Sequence, residues 1–434
     1  MSATIKGAAT ELGTERIRKL LMQYAVPAII AMTASSLYNM VDSIFIGHGV
    51  GPLAISGLAL TFPLMNLAAA FGSLVGVGAA TLISMRLGQR DYETAQRVLG
   101  NVLVLNLIIG IAFGLAALLF LDPILYFFGA SEATIGYARE YMTVILLGNV
   151  VTHMYLGLNS VLRASGHPRK SMYATINTVV INTILDPLFI FGFGWGIRGA
   201  AIATVLAQVI SLVWQLRILS NKQELLHFRR GIYRLRKKIV RDMLAIGMSP
   251  FLMNLAACFI VILINKGLKE YGGDLMIGAY GIVNRLAFFF VMIVMGINQG
   301  MQPIAGYNFG ARQYDRVLRV LRLTVIGATC VTGAGFLMGE LAPRLAVSAF
   351  TNDPELIRLA VEGMRIVFVC FPIIGFQMVA TNFFMSIGMA GKAIFLSLSR
   401  QLLFLMPGLI DAHWHAFLAP NTTMDLMTAD ESYT

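Results

Sequence analysis

Charge is what this sequence is short of. Only 13% of its 434 residues are Asp, Glu, Lys or Arg, where a typical soluble domain carries about 25%. With 57% of residues hydrophobic, too little polar surface is left to cover a water-soluble globule. That excludes a soluble enzyme, and also a disordered chain, which requires low hydrophobicity. Cysteine is scarce too. Cys258, Cys330 and Cys370 are odd in number, scattered and sunk in apolar runs, giving neither a disulfide framework nor a metal-ligand spacing. They read as small buried hydrophobes in helices. The first apolar run is too long for a signal-peptide core, so no cleaved leader is expected.

What is present is a series of long apolar segments, each near or above the roughly 20 residues that cross a hydrocarbon core. They lie near 20–46, 53–85, 96–121, 136–162, 172–193 and 199–219. A second set follows near 243–264, 275–298, 317–339 and 357–386, then a shorter run at 393–408. This predicts an all-α polytopic membrane protein with ten spans and the start of an eleventh. Several runs exceed a bilayer's width and must tilt or kink.

The net charge of +11 has a positional explanation. Arg16, Arg18 and Lys19, then Arg86, Arg90 and Arg97, then Arg163, Arg169 and Lys170, fall in alternate loops. The stretch from Lys222 to Arg241, with eight Lys/Arg, and Arg312, Arg316, Arg319 and Arg322 join them. The intervening loops carry mainly Asp122, Glu132, Asp274, Glu340, Asp353 and Glu355. The positive-inside rule then places the N-terminus and the long central loop in the cytoplasm, with no nucleic-acid partner implied.

The chain also repeats itself. LGQRDYETAQRVL near residue 87 aligns with FGARQYDRVLRVL near 309, an offset of 222 that pairs Gly88 with Gly310, Arg90 with Arg312 and Tyr92 with Tyr314. The same offset pairs Phe128 with Phe350, Gly166 with Gly388 and Lys170 with Lys392; Pro27 and Pro250 match within one residue. Two lobes follow: 20–220, with six spans, and 242–406, behind an N-terminal segment 1–19 and joined by the basic linker 221–241. Such duplication is common in secondary transporters, whose substrates bind between the repeats.

Ionisable groups inside spans are costly and are functional candidates by default. Asp42 falls in the first span and Asp186 in the fifth. Asn182 lies four residues before Asp186, on the same helical face, and Thr204 follows in the sixth span. Two acids, an amide and a hydroxyl can hold a proton or bind a small cation through oxygen. Asp186 has a competing reading as the cap of a helix break at Pro187. Arg285 is the intramembrane cation of note and could face a water-filled cavity or neutralise an acid. His153 reads as a hydrogen-bonded packing residue. Some of the 24 methionines and 27 phenylalanines could line an adaptable cavity.

These motifs together carry a resemblance. VPAII…LYNMVDSIFIG, the paired LGQRDYETA and FGARQYDRV, YGIVNR and GINQGMQPIAGYNFGA resemble multidrug and toxic compound extrusion (MATE) transporters over residues from about 17 to 406. The resemblance implies twelve helices in two six-helix lobes around a V-shaped cavity. It further implies export of cationic, amphipathic compounds driven by H⁺ or Na⁺, with no cofactor beyond that coupling ion, by a monomer rather than an enzyme. In the branch of DNA-damage-inducible and MepA-like exporters, the ion-site positions match Asp42, Asn182, Asp186 and Thr204, and Pro27 matches the proline where the first helix bends. A lipid-linked oligosaccharide flippase of the same superfamily is the alternative, but it would want a more cationic cavity.

After Pro407 the sequence changes character. PGLIDAHWH resembles the first-strand motif of amidohydrolases, where His413 and His415 would bind metal, yet about 28 residues hold no further ligands. The segment 407–434 is expected to be a non-functional polar tail, leaving the eleventh helix incomplete and the twelfth missing.

Overall fold

In the computed structural model, which describes residues 8–351 and 353–399, every regular element is helical. The short α1 (Ala8–Thr14) precedes α2 (Ile17–Gly49), α3 (Pro52–Gly88) and α4 (Tyr92–Leu119). Next come α5 (Leu121–Phe127), α6 (Ile135–Leu147), α7 (Asn149–Ala164), α8 (Pro168–Pro187) with a π-helical turn Leu188–Gly192, and α9 (Gly196–Leu219). Residues 220–236 lead to α10 (Lys237–Gly310), α11 (Tyr314–Leu341), α12 (Pro343–Ser348), α13 (Pro354–Val369), α14 (Phe371–Ser386) and α15 (Ala390–Leu398). Among the described residues, eight stretches are long and apolar enough to cross a bilayer, and ten if α6–α7 and α13–α14 each count as one bent span, matching the ten read from the sequence. The side chain of Cys258 and everything past residue 399, including Asp411, His413, His415 and the expected incomplete helix, lie outside the described residues.

The helix ends follow local chemistry. Asp91 accepts the Thr94 N–H at the start of α4, and Asp353 accepts that of Leu356 at the start of α13, each satisfying a donor the helix leaves open. Pro168, Pro343 and Pro354 occupy first-turn positions, where the missing N–H is harmless.

The 222-residue repeat recurs in the backbone. Arg90 and Arg312 both adopt a left-handed φ, 61° and 59°, a conformation that is strained for a side chain with a Cβ. Each is closed by the same i→i−5 bond, Asp91 N–H to the Arg86 carbonyl and Gln313 N–H to that of Asn308, both 2.8 Å. That is the Schellman ending of a helix. Gly166 and Gly388 repeat the pattern with φ of 100° and 78°. The spans α6–α7 and α13–α14 are bent by 56° and 48° at Gly148 and Cys370, again 222 apart.

One element departs from expectation. Helical backbone runs unbroken through α10, 74 residues that would stretch about 110 Å if straight. It cannot be straight. A Cβ on Gly247 would collide with the Leu74 carbonyl, and one on Gly310 with that of Met85. Leu74 and Met85 are 11 residues apart on α3, about 16 Å. The element therefore folds back on itself, so that the two expected spans are its antiparallel arms and both its ends lie at the face carrying the basic loops.

The two halves meet near that basic face. Gln302 donates to Thr81 at 2.9 Å and α2 presses on the second arm of α10 at Ala25 and Ile29, while deeper in the bundle the Phe71 and Phe251 rings pack tilted at 4.9 Å. The segments leading into each half reach across to the other. Asn308 and Arg316 donate to the Leu12 carbonyl at 2.9 and 3.0 Å, and Arg316 also to that of Glu15, pinning α1 to the second half. Gln96 and Asn101 of α4 correspondingly bond the backbone of the 220–236 linker.

The outer surface is apolar: Phe62, Leu115, Ile184 and Ile373 are all more than half exposed. Cys330 and Cys370 are free and exposed, which corrects their reading as buried. In a membrane bundle, lipid-facing and core positions are equally apolar, so composition does not separate them.

Candidate functional site

Three helices of the first half bring the intramembrane polar residues together. Asp42 comes from α2, Asn182 and Asp186 from α8, and Thr204 from α9, and all four are buried. The Asn182 side-chain N–H donates to Asp186 Oδ1 at 2.9 Å and approaches Thr204 Oγ1 at 3.5 Å. The i, i+4 spacing therefore does what a helix allows: one amide steadies one carboxyl on its own face. Asp42 reaches across from α2 to face Asp186 directly.

Asp186 does not act as a helix cap. Its Oδ1 is taken by Asn182, while the break at Pro187 is absorbed by the π-helical turn and closed by the Trp195 N–H on the Phe189 carbonyl at 3.0 Å. Local π-helical geometry is frequent beside functional residues. Here it ends α8 without occupying the carboxyl.

Three oxygens of the cluster, Asp42 Oδ1, Asn182 Oδ1 and Asp186 Oδ2, are buried with no hydrogen-bond donor. Buried acceptors without donors are costly, and two facing carboxylates in a low-dielectric interior repel strongly. A shared proton relieves both problems, and so does a small hard cation, since such ions take carboxylate and amide oxygens. Among the described residues, no group of three His, Cys, Asp or Glu is gathered for a metal ion. The donors the site gathers are oxygens, from two carboxyls, an amide and a hydroxyl.

Two tyrosines that carry no charge in the sequence reading belong to it as well. Tyr38, one helical turn before Asp42, hydrogen-bonds Thr204 at 3.0 Å. Tyr141, from α6 and fully buried, sits beside Thr204 and both carboxyls. The i, i+4 spacing to Asp42 could have revealed Tyr38, whereas Tyr141 carries no local signal. Arg285 lies elsewhere: it is exposed on the second arm of α10 and pairs with no described acid. His153 is buried away from the cluster, its Nε2 2.9 Å from the Ala68 carbonyl.

Pro27 stands in α2 four turns before the acid. Around it, a Cβ on Gly296 would lie 2.7 Å from Ile29 Cα, and one on Gly300 2.6 Å from Ala25 N. The missing proline N–H thus weakens α2 to one side of the cluster, where the helix is pressed against the other half.

The family model MatE matches residues 27–188 and 247–410, one segment in each half of the repeat. The chain belongs to the MatE family. Curated relatives include the multidrug export protein MepA of Staphylococcus haemolyticus, 29% identical over 88% of this chain and 84% of that protein. MepA of Staphylococcus aureus is 28% identical over 92% and 90%. Among solved structures, the MATE multidrug transporter DinF-BH is 37% identical, with a TM-score of 0.84 over 91% of this chain and 89% of that one. A MATE structure in the bent conformation, 24% identical, shares the fold at a TM-score of 0.87 over 94% and 90%. This MATE chain is accordingly an all-helical integral membrane transporter.

Proposed function

We propose that this protein is a multidrug efflux antiporter that exchanges amphipathic, cationic compounds for H⁺ or Na⁺ across the bacterial cytoplasmic membrane, with its N-terminus inside, working as a monomer. The export activity is carried over from the MepA relatives and the multidrug transporter DinF-BH. The observation that carries the coupling is the facing pair Asp42 and Asp186 with unsatisfied oxygens inside the first half.

The geometry suggests how occupancy would reach the cavity. The cluster ties the far part of α2 to α8 and α9 through Asp42, Tyr38 and Thr204. About 20 Å along the helix, Ala25 and Ile29 lock the near part to the second half. Pro27 lies inside that locked stretch, between Ala25 and Ile29. A proton or Na⁺ bound between the carboxyls removes their repulsion and draws the far part of α2 toward α8, loading the locked near part where Pro27 weakens the helix. Differential affinity of ion and drug for the two arrangements is all that coupling requires. With the basic face inside, halves joined at that face leave the cavity open outward. Whole-cell dye efflux tests the reading: it should stop when proton and sodium gradients are both collapsed, and efflux that persists would refute antiport.

A further inference from the structure

The charged segment between the halves is displayed with a regularity that a flexible solvated loop would not have. Leu226 and Ile232 anchor it, 1% and 2% exposed. Gln96 exchanges bonds with the His227 backbone. Asn101 donates toward the Ile232 and Arg234 carbonyls at 3.4 and 3.3 Å and accepts the Arg236 N–H at 3.1 Å. Gly100 completes the seat, since a Cβ there would collide with the Ile232 carbonyl. The rail 231–236 is held by its backbone and by the buried Ile232, so its other side chains are left to face outward.

What they present is mixed. Arg229, Arg230, Arg234, Arg236, Lys237, Lys238 and Arg241 all lie on or beside it and are all exposed, and among the described residues Arg241 alone of these pairs with an acid, Asp242 at 3.7 Å. Between them Tyr233 and Leu235 stand 45% and 39% exposed. Arginine and lysine are at ease in water, but a tyrosine and a leucine on the same rail are not. The segment runs from the end of one span, Leu219, to the start of the next, Lys237, which puts it at headgroup height. Tyrosine favours that layer, and juxtamembrane basic clusters attract anionic lipid.

We infer that this rail is a docking surface for anionic phospholipid headgroups of the leaflet at the basic face. The cations take the phosphates while Tyr233 and Leu235 enter the upper acyl region. A free phosphate or nucleotide would use the charges but leave the two apolar side chains in water.

The full-length chain in phosphatidylcholine nanodiscs doped with phosphatidylglycerol tests this, with retained phosphatidylglycerol counted by native mass spectrometry. Replacing Arg229, Arg230, Arg234, Lys237 and Lys238 by Gln should cut retention at least about tenfold, since each charge near the surface contributes roughly fivefold. The pair Tyr233→Ser and Leu235→Ser should also lower it, with thermal melting checked to be unchanged. Retention unaffected by the five Gln changes overturns the proposal. Retention insensitive to the Ser pair, or abolished by inorganic phosphate, reduces the rail to a plain anion site and overturns it too. Because lipid is counted and not efflux, the result stands apart from the transport reading.

Discussion

Gly300→Ala should shift the conformational balance of this protein without unfolding it. The new Cβ would sit 2.6 Å from Ala25 N, 2.7 Å from its Cα and 2.9 Å from its Cβ. Ordinary contact begins near 3.5 Å, so α2 and α10 must part by most of an ångström, and backbone atoms cannot swing aside as a side chain could. Overpacking of this kind costs about 1–3 kcal/mol. Alanine also favours the helix over glycine by about 1 kcal/mol, but that gain is common to every state in which α10 is helical. It offsets the loss in global stability and cancels in the comparison between arrangements. The joined state should therefore lose about 5- to 150-fold in population relative to one where the helices separate there. Spin labels on the two halves, read by pulsed electron resonance, would show the change as a redistribution of distances at the basic face. Gly333→Ala, with open space around its Cβ, is the matched control and should change nothing. Equal distance distributions for wild type and Gly300→Ala would refute the idea that this crossing limits movement of the halves.

Asn101→Ala leaves the Arg236 N–H and two linker carbonyls without their partner. At about 1–3 kcal/mol per buried group left unsatisfied, hydrogen exchange should rise at least tenfold in residues 227–236 and stay unchanged in α11. Acid should loosen the same linker at its other end, where Glu224 bonds His167 and Lys170 at 2.7 and 2.6 Å. Burial tends to raise the Glu224 carboxyl, but Lys170 and His167 outweigh it and hold it below its ordinary 4.5. Burial holds the His167 imidazole below 6.5. Both groups are thus depressed in the folded chain, so their contribution is complete above about pH 6.5 and is lost as pH falls through the lowered values. Exchange near residue 224 should accelerate on acidification from neutrality, with the upper part of the profile absent in His167→Asn; a pH-independent profile would contradict the assignment.

Much of this was legible in the sequence because membranes impose simple rules. Ten spans, the alternation of basic loops and the 222-residue offset each rest on composition or matched residue pairs, and Arg90 with Arg312 shows the repeat surviving even in a strained φ. The cluster was legible for the same reason: Asp42, Asn182, Asp186 and Thr204 are polar where polarity is expensive. Tyr141 was not, because a tyrosine in a span reads equally as an interfacial or packing residue until a neighbouring helix places it. The unbroken helical backbone of α10 was not legible, because Gly267 and the Gly272–Gly273 pair read as a break between two spans, and lipid-facing Cys330 and Cys370 look like core residues, since both surroundings are apolar. The hooks of Gln96 and Asn101 on a segment more than 120 residues away are tertiary facts with no local signature.

Coupling, as proposed, requires Asp42 and Asp186 to hold the ion together. Purified protein in liposomes, loaded with a fluorescent cationic dye and given an imposed proton or sodium gradient, tests it most directly by comparing wild type with Asp42→Asn. The asparagine variant should insert and bind dye as wild type does, while the gradient no longer accelerates dye movement. Gradient-driven transport by Asp42→Asn at the wild-type rate would contradict the claim.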